Sequence, residues 1–373
     1  MGMKKGILIS AVVLCLFLSG CSWMDGSYLS VTPHQMQSAG IQTGDASASN
    51  YLQLRNTLEE MVRSGVESAV INVAQYRQDL VAEGIANAAS FTADRYPLGA
   101  FAVDQITYEI GTAAGKPAIS VDISYIHGRS EIRKIKEAED MEAVKTIITD
   151  ALTNCSDSVV IWVTDYAAMD FVQITEDFMK ENPNIVMEMP QVAVGIYPEA
   201  GAGRILDVKF TYETSRESLR QMQRQVQRVF ASASLYVNSD ATDYQKFDQL
   251  YTFLMERFDY EVKTSITPAY SLLSHGVGDG EAFATVYAAM CRQAGLDCQV
   301  ISGTKDGQSC HWNIICEDGV NYHVDLLKCS EIGQFRRFND ADMQGYVWDY
   351  SAYGSTLITP EEAVPEENEK NNG

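Results

Sequence analysis

Two stretches decide the fold of this chain: AYSLLSHGVGDGEAFATVYAAMCRQAGLDCQVISG (residues 269–303) and CHWNIICEDGVNYHVD (residues 310–325). The first leaves a Gly-rich loop holding His275 and enters a helix that carries Cys291. The second reads as a strand, a turn and a returning strand. Neighbours on a strand point to opposite faces, so Cys310, Trp312, Ile314 and Cys316 share one face and His311, Asn313 and Ile315 the other. His323 and Asp325 share a face on the returning strand, which the hairpin brings towards Cys310.

The whole chain has 373 residues, 46% of them hydrophobic and 21% charged, which is globular composition sufficient for two or three domains. Against 28 Lys and Arg stand 50 Asp and Glu, for a formal charge of −22. A surface this acidic repels phosphate backbones, so nucleic acid is excluded as a partner. No apolar run reaches the roughly 18 residues of a membrane span.

At the start, Lys4 and Lys5 precede the apolar stretch Ile7 to Leu18, which is too short to be an anchor. It ends in Leu18-Ser19-Gly20-Cys21, small residues before a Cys, and so resembles the lipobox of bacterial lipoproteins. The expectation is a signal peptide over residues 1–20, lipidation at Cys21 and a flexible tether over 21–50. An extracytoplasmic protein anchored to the bacterial membrane through that lipid is the implied setting. Residues 359–373 read as a disordered acidic tail, with five Glu and one Lys from Pro360 onward. Six Cys remain beyond Cys21, and five crowd into residues 291–329. Outside the cytoplasm they permit one or two disulfides there, or else stand as buried free thiols. None forms a C-x-x-C pair, and no metal or cofactor pattern is present.

Residues 51–234 repeat themselves. VESAVINVAQY (66–76) matches DSVVIWVTDY (157–166), and AISVDISYIHGRSEIRKI (118–135) matches RILDVKFTYETSRESLRQM (204–222). Each copy reads strand, helix, strand, strand, helix, with helices at 77–94 and 167–181 and hairpins at 103–126 and 190–213. The turns fall at Gly111–Gly115 and Gly201–Gly203. Ile119, Val121, Ile123 and Tyr125 alternate with Ser120, Asp122 and Ser124, as in a sheet with one face on helices. The copies are assigned to 51–140 and 141–234. No catalytic cluster lies here, and His127 reads as a structural turn residue.

From Tyr244 onward the chain resembles the bacterial transglutaminase-like (papain-type) domains. YQKFDQLYTFLMERFDYE (244–261) is similar to the helix that opens them. Ala269-Tyr270, Leu273, Gly276, Ala282-Phe283-Ala284, Ala294-Gly295-Leu296, Cys298 and Ser302-Gly303 match the family's order, as do Trp312-Asn313 and Tyr322-His323-Val324-Asp325. FNDADMQGYVWDYSAYG (338–354) resembles the family's next segment. The repeat and the resemblance together imply an α+β chain: a duplicated β-α-β-β-α region, then a transglutaminase-like domain over 235–358.

In that family a Cys at a helix N-terminus attacks an amide, a His on a strand activates it, and an Asp orients the His. The thiolate is the nucleophile, stabilised by helix dipole and imidazolium. Counting from Tyr270 puts Gly280 at the nucleophile position, and counting back from Asn313 puts Cys310 at the base position. Only Asp325 keeps its residue. The catalytic set is therefore degenerate, and the expectation is a non-catalytic binding or scaffolding module. Its partner would be an envelope peptide, a glycan or another protein. His275, His311, Trp312 and His323 are the candidate cleft residues. One alternative is a cysteine-dependent amide-bond enzyme (transglutaminase, protease or amidase) with relocated residues, such as Cys310 paired with His323 or His275. Another makes residues 51–234 an interaction platform.

Overall fold

The computed structural model describes residues 46–261 and 268–353. The leader, Cys21 and the acidic tail lie outside the described residues.

The first module comprises β1 (Ala46–Ser47), α1 (Tyr51–Ser64), β2 (Ser68–Asn72), α2 (Val81–Asp94), α3 (Pro97–Ala102), β3 (Val103–Ala113) and β4 (Lys116–Tyr125). Local chemistry sets its boundaries. Asn50 caps α1 by accepting from the Gln53 amide, and Gly65 ends it in the left-handed region at φ 62°, where a Cβ is strained. The buried stripe Leu54, Leu58, Met61 and Val62 faces the core. On β4, Ile119, Val121 and Ile123 are buried while Asp122 is exposed and Ser124 stands with it on the outer face, as the alternation predicts. The β3–β4 turn is tighter than the glycine spacing predicts. Only Ala114 and Gly115 turn, both at positive φ, and Gly111 lies within β3.

After a short α4 (Arg129–Ile132), the second module runs β5 (Lys136–Ala138), α5 (Met141–Thr153), β6 (Ser158–Val163), α6 (Phe171–Glu181), β7 (Gln191–Tyr197), β8 (Arg204–Thr211) and α7 (Arg216–Tyr236). The two sheets have orders β1-β2-β4-β3 and β5-β6-β8-β7. In each, the first pair is parallel and the others antiparallel. Three boundaries read from the sequence move. Ala46 and Ser47 pair with Ile71 and Asn72, so residues 46–50 belong to the first module and not to a tether. Lys136–Ala138 pairs with β6, which places 136–140 in the second module. No break falls at 234, because α7 runs through it and buries Leu219, Val226, Phe230 and Ala233 in the core of the C-terminal domain.

Phe101 and Tyr96 join the first two modules, Phe101 meeting Tyr197 edge-on at 5.8 Å and Tyr96 meeting Trp162 at the same centroid distance. His127 stacks on Phe101 at 4.2 Å, a packing role.

The C-terminal domain opens with α8 (Asp243–Met255), started by a Thr242–Gln245 capping box. Then come β9 (Asp259–Tyr260), α9 (Pro268–His275), β10 (Val277–Gly278), α10 (Gly280–Gln293), β11 (Asp297–Lys305), β12 (Gln308–Glu317), β13 (Val320–Val324), α11 (Leu326–Ile332), β14 (Tyr346–Trp348) and α12 (Tyr350–Tyr353). Every residue of α10 from Ala282 to Cys291 is buried, so this helix is the centre of the domain. It packs against a sheet of order β13-β12-β11-β14. All six Cys of the described residues are free thiols, and none of the disulfides permitted by their crowding forms. Cys155, Cys291, Cys298 and Cys329 are buried and fill the core as small apolar groups.

Trp312 is 1% exposed and lies edge-on to Tyr346 at 5.2 Å and to Trp348 at 5.8 Å. Gly303 makes room for it. A Cβ there would run into the Val347 carbonyl oxygen and stand 2.7 Å from the Trp312 ring. Gly303→Ala is therefore expected to cost about 1–3 kcal/mol through overpacking and to lower Tm by several degrees in a thermal melt. An unchanged Tm would show that β14 moves freely away from β11.

Candidate functional site

Gly280 is the first residue of α10, and the Asp279 carboxylate before it caps the helix by accepting from the Ala282 amide at 2.9 Å. A side chain built at Gly280 would meet Leu327 Cδ1 at 3.7 Å and the His311 carbonyl oxygen at 3.8 Å, both ordinary contacts. Leu327 lies two residues beyond Asp325 and His311 directly succeeds Cys310, so the three aligned positions gather around the start of α10. The β13 ladder on β12 begins only at Asn313, which leaves the Cys310 end of β12 without that neighbour.

Cys310 and Asp325 are each held by their surroundings. Burial, and then the charge of Asp325, push the Cys310 thiol above its ordinary value. Thiolate nucleophiles need the opposite shift. Asp325 is buried, its Oδ1 capping α11 by accepting from the Leu327 and Lys328 amides at 3.0 and 3.1 Å. Its Oδ2 accepts from the Tyr346 hydroxyl at 2.6 Å. Burial, reinforced by that bond, raises the Tyr346 hydroxyl far above its ordinary range, so it stays a donor.

Two candidate cleft residues prove to be core. Trp312 is enclosed by Tyr346 and Trp348, and His323 is 0% exposed. Trp312 Nε1 donates to His323 Nδ1 at 3.0 Å, so the ring proton sits on Nε2, which donates to Asp340 Oδ1 at 2.9 Å. Both ring nitrogens are thereby occupied, and burial holds the imidazole below its ordinary value. A Cys310–His323 pair is excluded by these bonds.

Of the four, His311 lines a cleft. That cleft has a volume of about 1200 Å³ and lies between α10 and β11 on one side and α6, the 182–184 loop and α7 on the other. Glu281, Thr285, Arg292 and Asp297 line it beside His311. None of these four is marked by the sequence pattern. α10 is buried all round from Ala282 to Cys291, and nothing local announces that a second module closes over one side of it. His275 lies outside this cleft, ending α9 on the surface, edge-on to Tyr270 at 5.9 Å. Among the described residues no three His, Cys, Asp or Glu side chains gather as a metal site would require. No described helix is long and apolar enough to cross a membrane.

Residues 231–349 match the transglutaminase-like superfamily, and this part of the chain is a transglutaminase-like domain. No curated protein matches the chain. Among solved structures, it is similar to a candidate cysteine protease from Cytophaga hutchinsonii at 11% identity and TM-score 0.26, covering 42% of this chain and 70% of that one. A protein described as a TGase matches at 10% identity and TM-score 0.26, over 58% of this chain and 63% of its own length. A candidate protease from Parabacteroides distasonis matches at 10% identity and TM-score 0.22, over 57% and 46% respectively. This chain thus spans less than two thirds of the latter two. Likeness at such scores carries no argument about chemistry.

Proposed function

We propose that this chain is an outward-facing, lipid-anchored bacterial protein whose transglutaminase-like domain is a binding or scaffolding module without amide-bond chemistry. The observation that carries the reading is Gly280. At the helix N-terminus that would stabilise a thiolate, position 280 presents no side chain. Cys310, at the base position, has a thiol shifted away from reactivity, and Asp325 is committed to capping α11 and holding Tyr346. The anchor rests on the Lys4-Lys5 start, the short apolar run and Ser19-Gly20-Cys21. The common order and pairing of the first two sheets supports descent of the two modules from one duplicated unit, as do the matching strand sequences.

Thiol labelling of the native protein tests the reading. With iodoacetamide at neutral pH, then mass spectrometry, Cys310 is expected to label no faster than a denatured-state thiol. Cys291, whose thiol burial raises strongly, and Cys329, pushed up to about 11, are expected to stay unlabelled until unfolding. A Cys310 that labels more than about tenfold faster than the unfolded chain would restore the cysteine-enzyme reading. Loss of amide turnover in Cys310→Ser would then complete that case.

A further inference from the structure

The cleft beside α10 has features that the degenerate catalytic positions do not use. Its floor includes β11, and among the described residues β14 covers only Gly303–Lys305 of that strand. Asp297–Ser302 pairs with β12 alone, so no described strand pairs with its other edge over six residues, about 20 Å of strand. Open strand edges present unpaired main-chain donors and acceptors. The Cys298 carbonyl already accepts from Arg292 Nη1 at 3.3 Å, so groups on this edge take partners where they are offered.

The lining charges are unequal. Asp177, Glu181, Glu281 and Asp297 face Lys180 and Arg292. Arg292 is occupied by two main-chain carbonyls, those of Cys298 and Glu181, and holds α10 to the second module. Lys180 is left against four carboxylates. Thr285, 8% exposed, also lines the cleft.

We infer that this cleft binds an extended peptide bearing Lys or Arg side chains, which adds as a strand to the Asp297–Ser302 edge of β11 while its basic groups meet Glu281, Asp297 and Glu181. Main-chain pairing gives such a site its affinity and the carboxylates give it charge selectivity. The inference deepens the binding-module reading, but the site stands whether or not the domain retains amide chemistry, because it uses none of Gly280, Cys310 and Asp325.

The test uses the full chain and a fluorescein-labelled decapeptide of alternating Lys and Thr, read by fluorescence anisotropy. A Glu/Thr decapeptide and a glucosamine hexamer, which is cationic but has no peptide backbone, are the comparisons. The Lys/Thr peptide is expected to bind, with Glu281→Lys/Asp297→Lys weakening it at least about tenfold and Glu109→Lys, distant on β3, leaving it unchanged. Thr285→Val is expected to weaken it by a smaller factor. Hydrogen exchange should slow on peptide addition at the amides of Val300 and Ser302. Equal binding of the acidic peptide, indifference to the double reversal, or protection confined outside Asp297–Ser302 would overturn the inference. Preferential binding of the glucosamine hexamer would also overturn it, replacing strand addition with glycan capture.

Discussion

Gly280→Cys is expected to fold normally and to display the fastest-reacting thiol in the protein. The new Cβ meets only Leu327 and the His311 carbonyl, both at ordinary van der Waals distance, and residue 280 is not among those in the left-handed region, where a side chain would be strained. Its sulfur would stand at the first turn of α10, a 14-residue helix whose dipole favours the thiolate. Native Cys310, by contrast, is held protonated by burial and by Asp325. The expected difference in iodoacetamide rate at neutral pH is more than about tenfold, with Gly280→Cys still labelling near pH 6. Adding Cys310→His places an imidazole beside Asp325 and is expected to extend that labelling to still lower pH. If the introduced thiol proves as slow as Cys310, the start of α10 has lost the field as well as the nucleophile. The carboxylates of Asp279 and Glu281 on either side would then outweigh the helix dipole.

The second large effect concerns His323. His323→Leu removes the acceptor of the Trp312 indole N–H and a donor to Asp340, both deep in the domain. Leaving a buried donor and a carboxylate so disturbed is expected to cost about 3–5 kcal/mol, read as a fall in the denaturation midpoint. A pH dependence goes with it. Burial holds the folded-state imidazole below its ordinary value of 6.5, while the unfolded chain titrates near that value. The unfolded state therefore takes up the proton first as pH falls. The stabilisation is present in full above about pH 6.5 and declines as pH falls from there through the lower folded-state value. In His323→Leu this decline should be absent from the stability–pH curve. A variant that retains the wild-type slope would assign it to another group.

Much of the architecture is legible in the residues themselves. The alternation of Ile119, Val121 and Ile123 marks one face of β4, and the paired stretches at 66–76 and 157–166 mark β2 and β6, because a strand's burial pattern is written at a period of two. The aligned positions of Gly280, Cys310 and Asp325 can be counted off, since spacing along helix and strand is a local property. Features that depend on partners distant in sequence escape such a reading. Lys136–Ala138 and Ala46–Ser47 are too short to carry a period, and only pairing with β6 and β2 makes them strands. His323 and Trp312 look like candidates for a cleft in isolation, as polar and amphipathic groups do. Their mutual bond and the Asp340 contact, formed by a segment 17 residues further on, turn them into core.

That residue 280 is a glycine with no side chain is a property of the sequence alone, since no packing can add one. The protonation bias of Cys310, the single tautomer of His323 and the acidic cleft along the β11 edge that no described strand pairs were decided by tertiary structure. Each depends on desolvation and on charges contributed by separate elements, and those terms exist only once the elements have packed.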